Sequence, residues 1–206
     1  MTERVEVHPK NPQRRLVAVA GAAVRAGGVI AYPTDSCYAL GCALGDKDAM
    51  ERIGRLRDID RRHHFTLVCR DLSEIARYAR VENWQYRLLK ACTPGPYTFL
   101  LPATKEVPRR LQNEKRRTIG LRVPDHPVPL MLLEELGEPL MSSTLVLPGD
   151  EYPLTDADEI EARLAGRIEI ILDGGNCGLD PTTVVDLADG APSVIRVGKG
   201  DTSPFR

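Results

Sequence analysis

The chain has 206 residues, 42 % of them apolar and 28 % charged, and a formal net charge of −1. That length supports a sizeable core in one large domain, while the near-zero charge excludes a global attraction to nucleic acid or membrane, so any anion binding must be local. No apolar run approaches the roughly 18 residues of a membrane span, and the segment MTERVEVHPK lacks the apolar core of a signal peptide.

Asn11-Pro12 reads as an N-cap and first-turn proline. Leu16, Val19, Ala20, Ala23 and Val24 follow at helical spacing until Gly27-Gly28 stops the helix. Val29–Thr34 then reads as a buried strand and Tyr38–Leu44 as a second, short one. Asp46 is placed to cap a helix containing Ala49, Met50, Ile53 and Leu56. Phe65–Cys69 reads as a strand, and Asp71–Tyr78 and Val81–Ala91 as helices. Tyr97–Leu101 and Ile119–Val123 follow as strands, and His126–Leu136 as a helix closed by Gly137. Leu140–Leu145 is a predicted strand, and Thr155–Leu164 a helix capped by Thr155 with acids at its start, where the helix dipole favours them. Ile168–Leu172, Thr183–Leu187 and Val194–Val197 complete the strands, the last two joined through the hairpin signal Asp189-Gly190. Interleaved helices and strands predict the α/β class, and the terminal hairpin makes the sheet mixed. No Gly/Ser/Pro-rich linker divides the chain, so one domain over 1–206 is expected.

The five cysteines, Cys37, Cys42, Cys69, Cys92 and Cys177, are odd in number and have no Cys-x-x-Cys spacing. That argues against a disulfide framework or zinc site and for a reducing, cytoplasmic setting. No Walker A, GxGxxG, HExxH or GxSxG pattern is present, so familiar phosphate loops, zinc-protease helices and nucleophile elbows are excluded. Positive charge is dense at Arg52, Arg55, Arg57, Arg61 and Arg62, next to His63 and His64, and again at Arg109, Arg110, Lys115, Arg116, Arg117 and Arg122. Arg122 lies inside the apolar strand IGLRVP and Arg196 inside VIRVG. An arginine in such a setting needs an anion or a groove open to water. Arg55 and Arg57 are two apart, so they act together only if the helix ends near Leu56. Hydroxyls recur at strand ends, in Thr34, in SSTLVLPG and in DPTTVVDL, as expected of a polar ligand site.

The stretches GGVIAYPTDSCYALGC, TPGPYTFLL, IGLRVPDHP, DGG, PTTVVDL and RVG, in that order, resemble the YrdC/YciO family from about Pro12 to Gly198. HHFTLVCRDLSE, KEVPRRLQNEKRRTIGLRVP and the closing GD are similar to the YciO branch. The resemblance implies an open, strongly twisted α/β sheet flanked by helices and enclosing a deep, positively charged cavity. It implies a nucleotidyltransferase that makes L-threonylcarbamoyl-AMP from L-threonine, bicarbonate and ATP accompanied by Mg²⁺, for tRNA threonylcarbamoyladenosine modification. It also implies, as an alternative, binding of double-stranded RNA, tRNA or rRNA without synthesis, for which the basic stretch Arg109 to Arg122 offers a surface by its charge.

Carried over by motif, the resemblance points to Tyr32, Thr34 and Tyr38 in the cavity wall, and to Ser142, Thr144, Thr182 and Thr183 at its hydroxyl positions. Arg122 and Arg196 match its strand arginines, and His63 joins Arg122 as a candidate for the threonine or carbamate end. Two departures fall on the chemistry. The family's lysine-x-arginine reads Arg55-Leu56-Arg57 here, and its serine-x-asparagine reads Thr144-Leu145-Val146. Arginine is wider and planar where lysine is a compact point charge, and valine offers no hydrogen bond. The expectation is ligand binding with synthesis weakened or altered, catalysed through Arg55 and Arg57 and with no metal held by protein side chains.

Overall fold

The computed structural model of the chain describes residues 1–59 and 65–206. In chain order the elements are β1 (Glu3–Glu6), α1 (Arg14–Arg25), β2 (Ile30–Tyr32), β3 (Ala39–Ala43), α2 (Lys47–Arg57), β4 (Thr66–Val68), α3 (Leu72–Tyr78) and α4 (Asn83–Cys92). They continue with β5 (Tyr97–Pro102), β6 (Thr118–Arg122), α5 (Pro127–Leu136), β7 (Leu140–Thr144), α6 (Ala157–Leu164), β8 (Ile170–Asp173), β9 (Thr183–Asp186) and β10 (Ser193–Arg196). The strands form one mixed ten-stranded sheet in the order β1-β8-β2-β3-β7-β4-β6-β5-β9-β10. The expected α/β class holds, and β9 and β10 pair antiparallel around Gly190 at φ 81°.

Short polar side chains set the helix starts. Asp46, Asp71 and Asp156 each accept the backbone N–H three residues on, at 3.0, 2.9 and 2.9 Å. Their carboxylates satisfy donors that the first helical turn leaves unpaired. Helix α6 is thus capped by Asp156, not by Thr155, and α1 starts behind Gln13, not at Asn11. Gly27 and Gly137, at φ 83° and 73°, take the left-handed turns that end α1 and α5.

Strand β1 was not legible in the sequence. It pairs parallel with β8 from Glu3 opposite Ile170 to Glu6 opposite Asp173, and only Val5 of its four residues is buried. A half-exposed edge strand this short carries almost no hydrophobic pattern to read.

Two apolar layers sandwich the sheet. Ile53 and Leu56 of α2, Ile75 of α3, Leu89 of α4 and Ile160 and Leu164 of α6 pack on one face with Leu40, Leu67, Phe99, Leu121 and Val185. Val17, Ala20 and Val24 of α1 and Val128, Leu132 and Leu133 of α5 pack on the other, against Val5, Ile30, Ala39, Leu140, Ile170 and Val68. The second layer reaches only as far as Ala39 and Val68. Those two residues also line a cavity that occupies the remainder of that face, over β7, β4, β6, β5 and β9.

Candidate functional site

The cavity, about 580 Å³, is built by strand parity. Successive side chains of a strand point to opposite faces of the sheet. Thr66 and Val68 of β4, Gly120 and Arg122 of β6, Thr98 and Leu100 of β5, and Thr182 and Val184 at β9 all line the cavity. The residues between them, Leu67, Leu121 and Phe99, are fully buried in the helix-covered core. Ser142 and Thr144 of β7 join the same wall, with Ser143 between them. The hydroxyls are organised: Thr98 Oγ1 and Thr182 Oγ1 lie 2.9 Å apart, and Ser142 Oγ donates to Leu40 O at 3.2 Å and meets the Tyr32 hydroxyl at 2.6 Å.

Three guanidiniums enter this cavity from three directions. Arg57, at the last position of α2, is half-buried; it bonds the Ser143 hydroxyl and donates through Nε to Val146 O at 3.3 Å. Burial pulls its pKa down, since the charged form is disfavoured away from water. Arg122, at the end of β6, is 7 % exposed and ion-paired with Asp35, with Thr34 Oγ1 at 3.4 Å from its Nη2. Arg196, at the end of β10, reaches back over Thr182, donating through Nη2 to Thr182 O at 2.9 Å and to Thr182 Oγ1 at 3.2 Å. It lies on an exposed edge strand, so of the two strand arginines only Arg122 is interior. Two acids, Glu151 and Asp180, and the exposed side chains Tyr152, Leu179 and Ile195 also line the cavity. Cys37 opens onto it as a buried thiol whose pKa burial raises, which does not favour a nucleophile.

Of the residues singled out from the sequence, Arg57, Arg122, Ser142, Thr144, Thr182 and Arg196 converge on the cavity. The others are placed differently. Arg55 and Arg57 both lie within the continuous helix α2, so they point in different directions. Arg55 is exposed, does not line the cavity, and folds back on Glu51 O of its own helix at 3.4 Å. Tyr38 and Thr183 have the wrong parity. Tyr38 is fully buried in the opposite core and donates to Gly175 O at 2.8 Å; Thr183 donates to Gly200 O at 2.7 Å. Tyr32 is fully buried beneath α1 and α5 and supports the wall through Ser142, and burial pushes its phenol up to about 12. Thr34 holds its own turn together, accepting from Ser36 N and Cys37 N at 3.1 and 3.2 Å and donating to Cys37 O at 2.7 Å. His63 lies outside the described residues. Thr66, Thr98 and Gly120 were not picked out, although the alternation in TFLL and TIGLR held the signal.

In the basic stretch from Arg109 to Arg122, Arg109, Arg110, Lys115, Arg116 and Arg117 are exposed. Arg116 is ion-paired with Asp186 and Asp189, Arg110 donates to Gly45 O, and Arg122 is interior. Among the described residues no group of three or more His, Cys, Asp or Glu side chains is arranged to hold a metal ion.

A mixed sheet covered by helices on one face and opening part of the other onto hydroxyls and guanidiniums defines an α/β domain with a cavity on its sheet. The family model Sua5/YciO/YrdC, described as telomere recombination, matches residues 22–198, and the chain belongs to this family. YciO of Escherichia coli strain K12 is 55 % identical over 100 % of both chains. The threonylcarbamoyl-AMP synthase of Halorhodospira halophila is 33 % identical over 84 % of this chain and 90 % of its own length. The crystal structure of E. coli YciO matches this fold with a TM-score of 0.96 at 54 % identity, covering 100 % of both chains. The structure of P. abyssi Sua5 complexed with L-threonine matches at 0.88 and 26 % identity, over 96 % of this chain and 58 % of that one. The fold is therefore threonylcarbamoyl-AMP synthase-like.

Proposed function

We propose that the cavity binds ATP and L-threonine and forms the mixed anhydride L-threonylcarbamoyl-AMP, at a rate limited by the one departure that lies in its wall, Val146. The observation that carries this reading is the convergence of Arg57, Arg122 and Arg196 on one hydroxyl-lined cavity. A reaction between a carbamate and a triphosphate needs that arrangement: fixed cations where anionic oxygens gather, and no side-chain nucleophile.

In this reading the threonine ammonium gives up a proton, and the resulting amine condenses with bicarbonate to a carbamate, releasing water. A carbamate oxygen attacks the α-phosphorus, and the bond to the β,γ-phosphates breaks to release pyrophosphate. Arg57 and Arg196 clamp phosphate oxygens, and Arg122 takes the threonine or carbamate end. Ser142, Thr144 and Thr182 orient both ligands by hydrogen bonding. Mg²⁺ accompanying ATP would supply neutralisation of phosphate charge; among the described residues Glu151 and Asp180 are the acids on the cavity wall, so the cation would be carried mainly by the nucleotide. The adenylate would supply the threonylcarbamoyl group for tRNA modification.

Val146 lines the cavity where the family resemblance expects an asparagine amide. Its carbonyl already accepts from Arg57, so an amide side chain at this position would stand beside the phosphate clamp. Val146→Asn is expected to raise synthesis by about tenfold or more, since one preorganised donor is worth roughly 10²–10³ in rate at well-studied sites.

The decisive measurement is pyrophosphate release from ATP that requires both threonine and bicarbonate. Release no higher than that of Arg57→Ala, in the wild-type chain and in Val146→Asn alike, would sink the synthase reading.

A further inference from the structure

Arg122 is a cavity residue that already holds an anion. Its partner is Asp35, from the Pro33–Cys37 turn, and both side chains are about nine-tenths buried, with relative exposures of 9 % and 10 %. The pairing is one-armed. Nη2 of Arg122 meets Oδ1 of Asp35 and, more loosely, the Thr34 hydroxyl. The other two atoms of the natural fork, Arg122 Nε and Asp35 Oδ2, are buried and have no hydrogen-bond partner among the described residues. Guanidinium and carboxylate normally meet through two parallel bonds, and a buried donor or acceptor left unmade is costly. This contact therefore leaves half of its bonding capacity unused.

The backbone beneath Asp35 is held independently of the pair. Thr34 Oγ1 closes the turn on Ser36 and Cys37, and the Lys199 ammonium bonds the Asp35 carbonyl oxygen. Releasing the Asp35 side chain thus requires no unfolding of its turn. A ligand anion offering two oxygens could satisfy Nε and Nη2 of the guanidinium together, which Asp35 does not.

We infer that Asp35 is a built-in competitor for Arg122, which anionic ligands must displace, and that this competition sets the affinity of the cavity. The inference rests on the reading of the cavity as an anion site, but not on synthesis. It names a residue that tunes binding by occupying the binding group, and it predicts that removing the charge of Asp35 strengthens binding.

The test is titration calorimetry of the full chain with two probes, L-threonine and inorganic pyrophosphate, on wild type, Asp35→Asn, Arg122→Gln and the double variant. Asp35→Asn is expected to tighten at least one probe by about tenfold, the order expected when a neighbouring like charge is removed from an anion site. That gain should vanish when Arg122 is also replaced. The probe that tightens tells whether Arg122 receives a carboxylate or a phosphate. Unchanged or weaker binding of both probes by folded Asp35→Asn overturns the inference and makes Asp35 a support for Arg122. Where Asp35→Asn does not fold, the Arg122 Nε–Hε resonance of the wild-type protein gives the answer. It should shift as a probe saturates, and a resonance that stays in place under both probes also overturns the inference. Failure of the synthase reading is separately visible, as absent pyrophosphate release in a chain whose probe binding still tightens.

Discussion

Arg55 and Arg57 show how much a single helical position decides. They are the same residue type, two apart, in a motif where the sequence suggests a joint role. The helix places Arg57 in the cavity and Arg55 in solvent. Arg57→Ala is therefore expected to lower threonine-dependent pyrophosphate release by roughly 10²–10³-fold, the usual loss of one preorganised charge contact. Arg55→Ala should leave it within about twofold, because surface changes away from a site have small effects. Steady-state assays of the two variants side by side check this, and equal losses would place both residues at the chemistry. The sequence revealed that guanidiniums matter here, through Arg122 in an apolar run. It did not reveal that Arg122 arrives with Asp35 attached, because a contact spanning 87 positions leaves no local trace.

At the scale of elements, the strands and helices were legible wherever two signals agreed. The helix over Lys47–Arg57 had both a capping Asp46 and an apolar stripe, and the helix closed by Gly137 had both its glycine and its hydrophobic run. Where one signal stood alone the reading slipped, as with Thr155 beside the true cap Asp156. The cavity was only half legible, because it depends on phase within strands and not on composition. The motif match points to Tyr38 and Thr183, and parity sends both away from the cavity side.

Strand β6 provides a test of this. A Cβ at Gly120 would stand 3.3 Å from Thr98 Cγ2 and 3.4 Å from Thr66 Oγ1, on the cavity floor. Gly120→Val should abolish binding of ATP and threonine in calorimetry. Its stability loss should be smaller than that of Leu121→Ala on the opposite face, where truncating a fully buried leucine costs about 2–5 kcal/mol. Retained binding in Gly120→Val would move the ligand away from this wall.

For the molecule as a whole, the tyrosines set an upper limit of pH. Burial raises the pKa values of Tyr32, Tyr38 and Tyr78, with Tyr32 reaching about 12 from an ordinary 10.0. In the unfolded chain these phenols ionise near 10, while the folded protein keeps them neutral to higher pH. The stabilisation is thus fully present below pH 10 and is lost as pH rises toward 12. For Tyr32 alone the displacement corresponds to about 3 kcal/mol. Chemical denaturation is expected to show stability falling steeply above pH 10, and less steeply in Tyr32→Phe. A flat profile to pH 12 would mean that the phenols ionise without unfolding the chain.

The parity of the sheet has a consequence for how the chain tolerates change. In β4, β5 and β6, neighbouring positions answer to different requirements, one to folding and the next to the ligand. A complete substitution survey read once by cellular abundance and once by ligand binding should give two maps of these strands with the same period of two and opposite phase. Leu67, Phe99 and Leu121 would be intolerant in the first map, and Thr66, Thr98, Gly120 and Arg122 chiefly in the second. Such strands can drift in ligand without drifting in fold, one alternate residue at a time.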